Sequence, residues 1–294
     1  MTARTNVVQE IVQRNIERAL ANPQLPPWPE QKRGIPNTVL RSALFGAFGR
    51  GKRRFMDREP INSVQNISML YTGPRLDQSD MDVWEGVLHL ARLGKLGERI
   101  TFSEKRFLRL IGRGGEGGKN LGKSDRVWLR KVLARLSATN VEIKDGPFVY
   151  GGSLIDEYFR DEESGKFIVI LNPRLKLLFN KNGWTQIDWG IRQALLGYPL
   201  AQWLHGFYSS HEVPFPYKIQ TLHRLCGSET GKGALTEAGL NKAMLGWRDD
   251  SLMPALAALE NVSRVAGQYF AWEINGCLVK VCRQPPAEQK KRSA

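Results

Sequence analysis

Residues 99–143 read RITFSEKRFLRLIGRGGEGGKNLGKSDRVWLRKVLARLSATNVEI, and the order of signals within them decides the fold. Arg99-Ile100-Thr101-Phe102 is a short β-prone run, after which Ser103 offers an oxygen to cap a helix. Phe107, Leu108 and Ile111 follow at the spacing that places side chains on one helix face. Gly112 and the glycines after it stop that helix, and a second opens at Ser124. At about 100° per residue Leu129, Val132, Leu133 and Leu136 share one arc, with Arg126, Arg130, Lys131 and Arg135 opposite. Val141-Glu142-Ile143 then starts extended structure. Strand, helix, turn, helix, strands is the order of a DNA-reading unit; a solvated amphipathic helix is the plainer alternative for this segment.

Composition sets the frame. The chain has 294 residues, enough for two ordinary domains, with hydrophobic and charged fractions of 41% and 24% that suit a globular protein. Its net charge of +14 points to a polyanionic partner, most commonly nucleic acid. No run approaches the roughly 20 apolar residues of a spanning helix, so no membrane partner is expected. The first residues lack a signal-peptide core, and Cys226, Cys277 and Cys282 are scattered thiols that suit a reducing cytoplasm. Neither they nor His89, His205, His211 and His223 fall at metal-ligand spacings, so no metal or cofactor is expected.

Working outward, Thr5 to Ala21 spaces Val8, Ile11, Val12 and Ile16 along one side of a helix, and four prolines between Pro23 and Pro29 end it. Gln31 to Arg54 is basic, with Lys32, Arg33, Arg41, Arg50, Lys52, Arg53 and Arg54 expected to face no acid. Residues 1–63 therefore read as an arm too poor in apolar residues to close a core. Residues 64–187 read as the first compact unit, in which Asp80 caps a helix carrying Met81, Trp84, Val87, Leu88 and Ala91. Phe148–Tyr150, Leu154–Phe159 and Phe167–Leu171 read as the hairpin strands of a wing, with acidic tips at Asp156-Glu157 and Asp161-Glu162-Glu163.

Residues 188–283 repeat that order: a helix from Pro199, a short strand at Lys218–Gln220, a helix at Thr221–Cys226, a polar insert, and a second helix from Arg248 to Glu260. Asn275-Gly276 then joins two β-rich runs as a hairpin. Residues 284–294 read as a disordered basic tail. The fold class is α+β: two tandem winged-helix units, each a helix-turn-helix with a β-hairpin wing. Of the eight tryptophans, Trp28 and Trp247 are expected to be the exposed ones.

One motif competes. Gly117 to Ser124 satisfies G-x-x-x-x-G-K-[ST], the phosphate cradle of nucleotide-binding loops. That cradle needs a buried strand before it, whereas Phe107 to Gly112 reads as a helix, and no apolar strand ends in the second magnesium carboxylate. A shorter near match, Gly227 to Gly233, lacks Ser or Thr after Lys232. The same backbone amides, with Lys119 and Lys123 at a helix start, suit a DNA phosphate instead.

The chain also resembles a specific family, the TrfA-type initiators of plasmid replication. The resemblance is carried by Leu25-Pro26, Trp28, Glu30, Arg33, Pro36-Asn37, Arg41-Ser42-Ala43-Leu44-Phe45, Tyr71-Thr72-Gly73 and Ile100-Thr101-Phe102. It is densest at Tyr208-Ser209-Ser210-His211, Pro214, Pro216, Leu225-Cys226-Gly227-Ser228 and Trp247-Arg248. It implies binding to tandem duplex repeats (iterons) of a plasmid origin, a monomer–dimer equilibrium and opening of adjacent single-stranded AT-rich DNA. It also implies recruitment of the host replicative helicase, host initiator and polymerase sliding clamp. Leu44 and Phe45 would be the clamp-binding pair; packing of both on the body of the protein is the alternative. The glycine-rich stretch 112–123 and the insert 227–247 depart from the family pattern.

The expectation is thus a non-enzymatic initiator. Arg126, Arg130 and Lys131 should line the first major-groove helix, with Lys242 and Arg248 marking the second. Lys52, Arg53, Arg54, Lys119 and Lys123 should contact phosphate. A transcriptional repressor, or less plausibly a nucleotide-binding protein, is the alternative.

Overall fold

The computed structural model describes residues 20–49, 51, 53–115, 119–145 and 148–284, with Gln13, Arg14 and Glu17. Most of the helix expected at 5–21, the candidate Lys52, the pair Gly117-Gly118 and the tail beyond 284 lie outside the described residues.

Residues 25–56 complete a neighbouring core rather than forming an arm. Strand β1 (Lys32–Pro36) is followed by helix α1 (Asn37–Leu40) and strands β2 (Phe45–Gly46), β3 (Phe55–Pro60), β4 (Ile67–Pro74) and β5 (Leu76–Asp77). Leu25, Trp28, Ile35, Val39, Leu40, Leu44, Phe45 and Met56 are all buried in the first core. The arm expectation for residues 24–63 is therefore corrected. These apolar residues are too few to enclose one another, so they pack onto larger partners: Phe45 stacks on Trp84, and Trp28 packs against Phe179 and Trp184. Trp28 is 5% exposed, against expectation.

Helix α2 (Gln78–Ala91) runs through this core and is buried around most of its circumference, polar side chains included. Its cap is Asp77 rather than Asp80: the Asp77 carboxylate accepts the Ser79 and Asp80 N–H groups, and Asp80 accepts that of Asp77. Then come β6 (Ile100–Ser103), α3 (Glu104–Leu110) and α4 (Lys123–Ser137). Strands β7 (Asn140–Asp145) and β8 (Phe148–Gly152) follow, and then β9 (Glu157–Arg160) and β10 (Lys166–Ile170). Strand β8, expected in the wing, pairs with β7 in a separate four-stranded sheet ordered β3-β4-β7-β8. Strands β9 and β10 form a hairpin in a sheet ordered β6-β10-β9, and residues 154–155 are buried outside any strand.

Strand β11 (Trp184–Asp188) pairs antiparallel with β1 and leads through α5 (Trp189–Ala194) to the second unit. There α6 (Pro199–Ser209), β12 (Tyr217–Lys218) and α7 (Ile219–Leu225) precede α8 (Glu237–Trp247). A π-helical turn at Arg248–Leu252 joins α8 directly to α9 (Met253–Val265), and β13 (Ala271–Asn275) and β14 (Leu278–Cys282) close the unit. Half of the expected polar insert is therefore helix, and the helix expected from Arg248 starts eleven residues earlier, at Glu237, just after its Thr236 cap. The hairpin turns at Gly276, whose φ of 59° favours glycine. Its sheet, ordered β12-β14-β13, has the same first-last-middle arrangement as β6-β10-β9.

Two apolar clusters result, one ending at Trp189 and the other beginning at Ile191. Buried polar groups fasten them. Arg192, fully buried, lies 2.8 Å from Asp82 and 3.1 Å from Glu85 on α2 and donates to the Gln78 carbonyl. Trp203 Nε1 donates to the Ser42 carbonyl at 3.1 Å, and the Ala47 N–H to that of Cys226 at 2.7 Å.

Candidate nucleic-acid interface

Helix α4 is docked by Leu129, Val132, Leu133 and Leu136, each with no exposed surface. By area alone each is worth about 1.5–3 kcal/mol, so the rotation of this helix is firmly set. That rotation leaves Lys123, Arg126, Val127, Lys131 and Ala134 exposed on one arc. Arg130 lies on the same arc, 39% exposed, with Nε donating to Glu104 at 3.0 Å. Arg160 of β9 donates to the same oxygen at 3.1 Å, so the buried Glu104 carboxylate links the exposed helix to the β9–β10 hairpin. Arg135, expected on the outer arc, sits on its inner flank, 2.5 Å from the buried Asp80.

Asp80 takes a second cation, Arg53, at 2.8 Å, and Arg53 also pairs with Asp77. Burial, with the adjacent Asp77, raises the Asp80 carboxyl above its usual range, and the two arginines oppose that rise. Arg53 is only 18% exposed, so its assignment to DNA phosphate is corrected: it neutralises a buried acid. Arg54 is paired with Glu59 and approaches Glu229. The basic segment therefore does face acids, which the sequence places far away or beyond a turn.

At the start of α4, Lys119 and Lys123 are exposed. Asp125 accepts the Gly122 N–H at 3.0 Å and pairs with Arg113 at 3.3 Å, and Arg113 lies 3.6 Å over the Trp128 ring. The Asp125 carboxylate thus ties one N–H at the start of the helix, and helix α3 rather than a strand precedes the loop. Helix α3 adds Lys105, Arg106 and Arg109, all exposed. Sequence reasoning missed these three, although they fill the gaps in the apolar spacing of Phe107, Leu108 and Ile111. The β9–β10 turn is acidic: Asp161 accepts the Glu163 and Ser164 N–H groups, leaving Glu162 and Glu163 exposed.

In the second unit Lys242 is exposed on α8, while Arg248 lies on the π turn and pairs with Asp249 at 2.6 Å. Trp247, expected outside, is buried edge-on against His223. Leu44 and Phe45 are 2% and 1% exposed, with Phe45 paired in β2 to Leu76. Neither is free to enter a partner's groove. The clamp-binding assignment of this pair is corrected: both are core residues.

The profile of the TrfA protein family matches residues 2–254. The chain belongs to the TrfA family. The Plasmid replication initiator protein TrfA of Escherichia coli is 26% identical over 215 residues, which cover 69% of this chain and 53% of that protein. The chain thus spans about half the length of this TrfA relative. In fold, the chain is similar to domains 2 and 3 of RctB, with a TM-score of 0.50 at 8% identity, over 84% of this chain and 96% of that one. Among the described residues no helix is long and apolar enough to cross a membrane.

Proposed function

We propose that this TrfA-family chain is a plasmid replication initiator whose two winged-helix units read tandem duplex repeats. The observation that carries the reading is the outer arc of α4, where Lys123, Arg126 and Lys131 are exposed opposite four fully buried side chains. A helix so mounted fits a major groove, with Arg126, Lys131 and the tethered Arg130 toward base edges. Lys105, Arg106, Arg109, Lys119 and Lys123 then take phosphates, and Lys242 marks the corresponding helix of the second unit. The matching strand orders of the two sheets support the same role for both units. The name of the E. coli relative supports the initiator reading over other uses of duplex contacts.

Opening of AT-rich DNA needs no nucleotide in this account; binding and bending energy, with negative supercoiling, supply it. A monomer–dimer equilibrium and recruitment of the host helicase, host initiator and clamp go with the initiator reading, the clamp by a surface other than Leu44 and Phe45. A repressor would make the same duplex contacts, and burial of that pair removes the feature that set the two apart in sequence. Fluorescence anisotropy against the plasmid's origin repeats and a shuffled duplex, with and without Mg-ATP, tests the reading. Repeat-specific binding indifferent to ATP is expected; equal affinity for both duplexes contradicts it. Permanganate reactivity of adjacent AT-rich DNA on a supercoiled plasmid separates initiator from repressor.

A further inference from the structure

Between the four-stranded sheet and the loop after α7 lies a cleft of about 380 Å³. That is within the range of about 300–1,000 Å³ typical of small-molecule sites. Met56, Ile61 and Leu240 contribute apolar wall, and Arg54, Arg75 and Lys232 contribute cations. The three cations converge on one carboxylate. Glu229 Oε1 lies 3.1 Å from Arg75, 3.3 Å from Lys232 and 3.9 Å from Arg54. Arg75 is held in place: its guanidinium donates to the Gly227 carbonyl at 2.7 Å and lies 4.2 Å over Phe48. The loop Gly227-Ser228-Glu229-Thr230-Gly231-Lys232 turns on two glycines with φ of 72° and 80°. His223, also in the wall, has its ring Nε2 buried without a hydrogen-bond partner. Arg54 is also paired with Glu59, so three cations stand against two acids and the lining keeps a net positive charge.

We propose that this cleft binds a small phosphate-bearing anion, with Glu229 standing where the anion's charge sits and giving way to it. Arginine and lysine form stronger charge-assisted bonds to a doubly charged phosphate than to a single carboxylate, and Arg75 presents its donors in the planar fork that suits it. The lining comes from both units, so a bound anion ties the β3–β4 sheet to the loop after α7. None of the lining residues lies on α4, so failure of this proposal leaves the DNA-reading one untouched.

Calorimetric titration of the full chain with pyrophosphate, and separately with ADP, tests it, with sulfate and adenosine as controls. Saturable binding of pyrophosphate or ADP is expected, at least tenfold tighter in Glu229→Gln and at least tenfold weaker in Lys232→Ala. Lys181→Ala, an exposed cation elsewhere, should leave it unchanged. Tighter binding of ADP than of pyrophosphate would identify a nucleotide; the reverse, a free phosphate compound. No binding by either wild type or Glu229→Gln overturns the proposal, as does binding that Lys232→Ala leaves intact. Displacement of the ligand by duplex DNA of any sequence also overturns it, assigning the lining to the DNA backbone.

Discussion

At the scale of single residues, what separates a reading cation from a structural one is the acid beside it. Arg126 and Lys131 are exposed on the outer arc of α4, whereas Arg53 and Arg135 are spent on Asp80. Arg126→Ala should therefore cost about 1–3 kcal/mol of affinity for the cognate repeat and relax specificity at one base pair. Lys123→Ala should weaken all duplexes alike and reduce the salt dependence by about one ion. Competition binding across single-base variants over a range of salt distinguishes the two. His89 supports a prediction of another kind. Its Nδ1 accepts the Trp28 indole N–H at 3.1 Å, its Nε2 lies 2.9 Å from Glu30, and burial lowers its pKa to about 4. The folded ring refuses a proton that the unfolded chain accepts, so unfolding free energy should fall as pH drops from about 6.5 toward 4. Urea midpoints of wild type and His89→Gln should converge over that window; a difference independent of pH contradicts this. At this scale the sequence exposed residue type but not pairing. The acids that retire Arg53 lie 24 and 27 positions away, beyond any local pattern.

At the scale of elements, legibility followed periodicity. Helices α2, α3 and α4 stood out because their apolar spacing is strong, and the β13–β14 hairpin because Asn-Gly is a turn with a mechanism. Helix α8 was missed because only Trp247 along it is buried, so it carries almost no apolar stripe. Strand β8 was sent to the wrong sheet because alternation reveals a strand but not its partner. A packing detail equally invisible in sequence yields a prediction. Gly86 faces α3, and a Cβ there would come within 2.7 Å of Ile111 Cγ2 and 3.0 Å of Phe107. Helix propensity alone makes Gly86→Ala stabilising by about 1 kcal/mol. Overpacking against a β-branched neighbour should reverse the sign, to a loss of about 1–3 kcal/mol. Thermal unfolding of the variant decides between them, and a raised melting temperature would contradict the close packing.

At the scale of the whole molecule, the two apolar clusters meet across a buried polar seam. Arg192 is the centre of that seam, between Asp82, Glu85 and Gln78. Arg192→Met should cost about 3–5 kcal/mol, since it leaves the buried Asp82 carboxylate without its hydrogen-bonded cation; burial already pushes the neighbouring Glu85 up to about 8. Denaturant unfolding measures that loss, and a variant as stable as the wild type would remove the seam from the account. The basic arm dissolved at this same scale: its apolar residues close a core only with the rest of the chain in place, which no local reading of residues 24–63 reveals. In the proposed reading, that seam sets where the second reading helix falls relative to the first. Methylation interference on a single origin repeat tests this most directly. The account predicts two separate major-groove patches within one repeat, the first lost in Arg126→Ala and the second in Lys242→Ala. A single patch, or loss of both patches in Arg126→Ala alone, would contradict it.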